Sequence, residues 1–157
     1  MRVRRTMMGQ DFARRWPDGV GTADGGSRGT RVLIEESDGA EAFAYGQLLS
    51  KNGYDVQWCP GPDDPIGGRC PLVTTGHCEL VERADVVVSA LGIDQESCRH
   101  VLATIRRLHP QTPVIVQASR RESARWAHLV EGKSVLETPV YGPALLASVA
   151  GATRTSP

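Results

Sequence analysis

Three consecutive valines constrain this chain more than any other stretch. Val86, Val87 and Val88 are bracketed by Asp85 and Ser89 within ADVVVSALGID, residues 84–94. A β-branched run that is apolar at successive positions suits a strand buried on both faces. Such strands lie at the centre of parallel sheets, not in amphipathic elements. Gly92 falls in the loop that follows, and Asp94 is placed to cap the next helix. In open α/β sheets, binding and chemistry gather at the carboxyl ends of the central strands. Ser89 and Ala90 are therefore the positions to watch.

The flanking sequence repeats the same rhythm. Val32-Leu33-Ile34 forms a first strand that runs into Glu35-Glu36-Ser37-Asp38. A helix follows from Gly39, with Ala40, Phe43, Ala44 and Leu48 at helical spacing and Gly53 as its left-handed end. Tyr54–Cys59 reads as the second strand. The prolines of 60–76 (Pro60, Pro62, Pro65 and Pro71) exclude helix and central strand from that stretch. A short helix over His77–Arg83 leads into the valine strand. Beyond it, Cys98, Val101, Leu102, Ile105 and Leu108 make an apolar helical stripe that Pro110 stops. Pro113–Ala118 is a fourth strand. Ser119 with Glu122 forms a capping box for a helix to about Val130. Ser134–Glu137 is a fifth strand, Thr138-Pro139 a turn, and Ala144–Ala150 a last helix entered through Pro143.

Strands alternating with helices under right-handed crossovers predict a doubly wound, five-stranded parallel sheet of flavodoxin-like order 2-1-3-4-5. The domain is expected over residues 31–150. A basic, Gly-rich flexible tail precedes it at 1–30, and a short tail of 151–157 follows. Residues 1–30 carry six arginines against three acids, although 18 cationic and 18 acidic side chains balance over the whole chain. That balance gives nucleic acid or an anionic membrane no bulk attraction, and no apolar run approaches membrane-spanning length. Four cysteines without an export signal imply a reducing, cytoplasmic setting.

Three stretches, RVLIEESDG, ADVVVSALGID and PVIVQAS, together with the ending SVLETPVYGPALLASV, resemble a bacterial response-regulator receiver domain. The resemblance implies a phosphoryl-transfer site. Two acids after the first strand hold magnesium, and an aspartate ending the third strand accepts the phosphoryl group. A hydroxyl after the fourth strand and a lysine before the proline of the fifth complete it, neutralising charge on the phosphoryl oxygens. Carried over position by position, the acids fall on Glu36 and Ser37, the nucleophile on Ala90, the hydroxyl on Ala118 and the lysine on Thr138. A methyl group cannot form an acyl phosphate, and Ser89 should face the other side of the strand. The expectation is a vestigial phosphorylation pocket in a non-phosphorylatable receiver-like module that acts through an unknown protein partner. A homodimer is a second form of that expectation. The interaction face would include Trp126, His128, Tyr141 and Pro139. Only GATRTSP follows Ala150, so any output is expected to pass through the partner.

The cysteines carry an alternative reading. Cys59, Cys70 and Cys78 fall in or beside the Pro/Gly-rich excursion, and His77 could complete a three-Cys-one-His zinc site. Three thiolates could instead hold an iron–sulfur cluster or sense redox state. The absence of a C-x-x-C knuckle leaves plain packing open too, since free cysteine buries well. Cys98 belongs to the apolar stripe. No G-x-G-x-x-G, Walker or G-x-S-x-G motif is present, so no enzyme site is expected. Glu35, Glu36 and Asp38 could bind a divalent ion or form a solvated acidic loop. A small-ligand or nucleotide site at the switch point between the first and third strands is the remaining alternative.

Overall fold

The computed structural model describes residues 29–64 and 69–154. The expectations for the tails therefore lie almost wholly outside the described residues. Five strands, β1 (Arg31–Glu35), β2 (Asp55–Cys59), β3 (Val86–Ser89), β4 (Val114–Ala118) and β5 (Ser134–Glu137), form one parallel sheet ordered β2-β1-β3-β4-β5. Among the described residues, seven helical segments connect or follow them: α1 (Gly39–Lys51), α2 (Pro71–Thr75), α3 (Glu79–Arg83), α4 (Glu96–Leu108), α5 (Arg120–Arg125), α6 (Ala127–Val130) and α7 (Gly142–Arg154). All four residues of β3 are buried, as a central strand requires.

The period-two geometry of the strands divides the core into two layers. Val32, Ile34, Val86, Val88 and Ile115 face α1 and α7, where Tyr45, Leu49, Leu145 and Val149 meet them. Leu33, Val87 and Val116 face the other way, onto Leu72 of α2, Leu80 and Val81 of α3, and Val101, Leu102 and Ile105 of α4. Each fully buried Leu, Ile or Val contributes about 1.5–3 kcal/mol relative to exposure, so both faces of the sheet are sealed by apolar packing.

Four local readings need correction. The excursion 60–76 contains a helix after all, because Pro71 sits at the start of α2, where its missing N–H costs nothing. Gly76 ends that helix at φ 78. The buried face of α1 is Ala42, Tyr45, Gly46 and Leu49, whereas Ala40, Phe43 and Ala44 are exposed. This helix carries apolar residues on two adjacent stripes, and the one whose tyrosine finds hydrogen-bond partners turns inward. The helix expected from Ser119 breaks at Trp126 into α5 and α6, although its capping box is present. Finally, α7 runs to Arg154, four residues past the expected domain limit. No helix of the described residues is long and apolar enough to cross a membrane.

Candidate functional site

The carboxyl ends of β1, β2 and β3 bring three chemically active side chains into one row. Glu35 is in register with Cys59 on one side and Ser89 on the other. Parallel register places them on the same face of the sheet, the face covered by α2, α3 and α4. Glu35 is only 3% exposed. Burial pushes its carboxyl up to about 7, opposed by a hydrogen bond from Ser89. Its Oε2 has no partner among the described residues. A neutral carboxylic acid is the form such a site favours.

Four thiols surround this acid. Cys59, Cys70, Cys78 and Cys98 each feel the Glu35 charge. Cys59 is pushed up to about 12, chiefly by burial and then by Glu35. Burial also raises the other three. The first three pack against the apolar cluster beneath α2 and α3. His77 stands apart: its side chain is 84% exposed and its Nδ1 lies 3.3 Å from Glu82 Oε1. His77 thus does not join Cys59, Cys70 and Cys78, whose thiols are near enough to raise one another's pKa values. Among the described residues, no group of three or more His, Cys, Asp or Glu side chains is arranged to hold a metal ion. Apolar packing draws the thiols inward and favours S–H over thiolate.

The five positions of the expected vestigial pocket line the same edge of the sheet. Glu36 and Ser37 follow β1, Ala90 follows β3, Ala118 ends β4 and Thr138 follows β5. Glu36 is buried at 5% exposure, and burial is the main cause of its raised pKa. Its Oε1 accepts from the Asp38 backbone N–H at 2.8 Å, and its carbonyl accepts from the Trp58 indole at 2.7 Å. With Glu35 and Glu36 both buried, the expected solvated acidic loop reduces to Ser37 and Asp38, which are exposed. Asp38 spends its carboxylate on capping α1, accepting from Ala40 and Glu41. Ala90 donates its N–H to the Glu35 carbonyl at 2.8 Å and packs into the layer with Trp58. Thr138 donates its N–H to the Ala118 carbonyl at 3.2 Å. On this side the Tyr45 phenol donates to Glu41 and lies 3.0 Å from the Gln117 amide, with burial raising its pKa. The inward turn of Gln117 has no signal in a strand that reads as uniformly apolar.

Above the row, the loops after β1, β2 and β3 enclose a cavity of about 220 Å³. Ser37, Asp63, Asp64, Gln95 and Cys98 line it with Pro60, Pro62, Leu91 and Gly92. Ser97 donates its hydroxyl to Asp63 at 2.5 Å. The strand order reverses between β1 and β3, so the cavity stands at the topological switch point. Asp94 does not cap α4; Gln95 occupies that position without a side-chain bond. Asp94 instead accepts from the Trp126 indole at 2.9 Å and lies 3.7 Å from Arg125.

This topology has counterparts among solved structures. A response-regulator receiver domain protein from Clostridium thermocellum superposes with a TM-score of 0.61 at 18% identity, covering 80% of this chain and 94% of that one. The fold is that of a receiver domain. A CheY-like receiver domain protein from Methanospirillum hungatei JF-1 gives 0.61 at 16% identity, with coverages of 82% and 97%. A response-regulator receiver protein from Sinorhizobium medicae WSM419 gives 0.60 at 17%, with 82% and 98%. No family model matches the sequence, and no curated protein does. The receiver fold is therefore carried here by architecture with little sequence identity.

Proposed function

We propose that this chain is a regulatory module of receiver fold that takes up no phosphoryl group and works by binding a protein partner. The observation that carries the reading is Ala90, the residue directly after β3, which offers a methyl group where an acyl phosphate would need a carboxylate. The neighbouring groups do not compensate. Ser89 is committed to Glu35 on the opposite face. Thr138 supplies no cation. The receiver's magnesium would need carboxylates converging from β1 and β3. Glu36 is buried and engaged with Asp38, Ser37 offers only a hydroxyl, and Ala90 offers nothing. This donor set does not fit the ion, and no catalytic step is assigned. Incubation with acetyl phosphate and magnesium, followed by intact-mass measurement, tests the reading. The mass should stay unchanged, and a gain of one phosphoryl group would overturn it.

A second reading rests on the switch-point cavity. At about 220 Å³ it is below the range of typical drug-sized pockets, roughly 300–1,000 Å³, which favours a ligand smaller than a nucleotide. A small cationic or hydrogen-bonding ligand matches Asp63, Asp64, Ser37 and Gln95. A thermal-shift screen of small amines and nucleotides separates this reading from a pure interaction role.

A further inference from the structure

The charge of this balanced chain is unevenly placed. Residues 99–133 hold seven Arg and Lys side chains against two carboxylates, Glu122 and Glu131. They span α4, β4, α5 and α6; Arg121 is exposed on α5, and the other six cations divide into two groups. Arg120 pairs with Glu137, Arg125 with Asp94, and Arg99 lies 4.0 Å over the Trp126 ring while donating to the carbonyls of Ile93 and Asp94. Those three are satisfied. Arg106, Arg107 and Lys133 form no ion pair among the described residues.

These three gather at the amino-terminal edge of the sheet, away from the Glu35 row. Arg106 and Arg107 end α4, whose chain runs on to the start of β4, and Lys133 immediately precedes β5. Arg106 is anchored there by donating Nη1 to the His128 carbonyl at 2.7 Å, which leaves the rest of its guanidinium fork free. Lys133 is half-buried, and both burial and the Arg106 charge oppose its ionisation. The dipole of α4 accounts for cations in its last turn. It does not account for a third, partly desolvated cation set beside them.

We infer that the Arg106, Arg107 and Lys133 edge is a docking surface for an acidic segment of a partner protein, whose carboxylates supply the missing counter-charges. This rests on, and sharpens, the interaction role proposed above. Arginine forks match carboxylates in bidentate geometry, and such complementarity fixes orientation and speeds encounter. A nucleic-acid backbone fits less well. Its regular negative charge would meet Glu131, two residues before Lys133, and the balanced charge of the whole chain gives it no bulk attraction. The Trp126 ring, the natural stacking platform, is already covered by Arg99.

The test is a fluorescence-anisotropy titration of the full chain with a labelled oligo-glutamate peptide, beside single-stranded DNA of equal charge. The peptide should bind, weaken as salt rises, and lose at least about tenfold in affinity in the double variant R106E/K133E. The neutral pair R106Q/K133Q should lose less, and K51E on α1 should bind as the parent does. Thermal melts confirm that each variant is folded. Equal peptide affinity in R106E/K133E and parent, or tighter binding of DNA than of peptide, would overturn the inference. So would a salt-sensitive self-association in analytical ultracentrifugation that R106E/K133E abolishes, since the partner would then be a second copy. Phosphoryl uptake is read separately by mass, so failure here and failure of the non-phosphorylated reading are distinguishable.

Discussion

The hydroxyl of Ser89 and the carboxyl of Glu35 meet across the register of β3 and β1, and this bond is the polar contact given to an otherwise sealed acid. The folded protein holds Glu35 near pKa 7 against an ordinary value of 4.5, so the native state binds a proton that the unfolded chain releases. Stability should therefore be full below about pH 4.5, fall as pH rises, and level off above about 7. The loss is on the order of 3 kcal/mol, taking 1.36 kcal/mol per pKa unit. Urea melts from pH 4 to 8 measure it. Glu35→Gln should flatten that dependence and be the more stable form at pH 8. An unchanged slope in the variant would refute the assignment.

The cysteines should be slow to react while the protein is folded. Thiolate is the nucleophile, and all four thiols have their pKa values raised by burial. Iodoacetamide labelling at pH 8, followed by mass spectrometry, should find little modification in the native state and four additions after denaturation. Rapid native labelling of Cys59 would contradict its placement.

Trp126 holds α5 against the loop after β3 through Asp94 and two guanidiniums. Trp126→Phe keeps an aromatic ring, smaller than the indole, and removes the N–H, and should cost about 1–2 kcal/mol. Trp126→Ala also loses half-buried ring packing and should cost about 2–3 kcal/mol, less than a full core truncation. Chemical denaturation of the two variants gives both numbers.

Gly61 sits at φ 93, and a Cβ there would come within 2.6 Å of Leu91 Cδ2. Gly61→Ala should therefore destabilise by about 1–3 kcal/mol, combining left-handed strain with a shifted leucine. It should also disturb the cavity that Leu91 lines. A melting temperature equal to the parent's would show that the loop adapts freely.

The parallel sheet was legible in the sequence because Val32-Leu33-Ile34, Val86-Val87-Val88 and Val114-Ile115-Val116 are short β-branched runs separated by helix-length segments. Local pattern and global topology agree there. What the pattern could not show was rotation and depth. The apolar residues of α1 permit two buried faces, and the one used packs Tyr45 and Leu49 on the sheet and bonds Tyr45 across to Gln117. Glu35 reads as a loop acid by type, yet the pleat points it under α2 and α3, where no sequence rule places a carboxylate. Cys59, Cys70 and Cys78 share one Pro/Gly-rich stretch and come near one another in the fold, whereas His77, next to Cys78 in sequence, turns out to Glu82, a direction that adjacency does not encode.

The bond between Asp94 and Trp126 gives the molecule a built-in optical gauge. Asp94 lies in the same loop as Leu91, Gly92 and Gln95, which wall the switch-point cavity. Any occupant that shifts this loop also changes the polarity around the indole, on the side of the molecule that bears the basic helices. With Trp16 and Trp58 replaced by Phe, Trp126 is the single emitter, and its spectrum follows the loop that Asp94 ties to it.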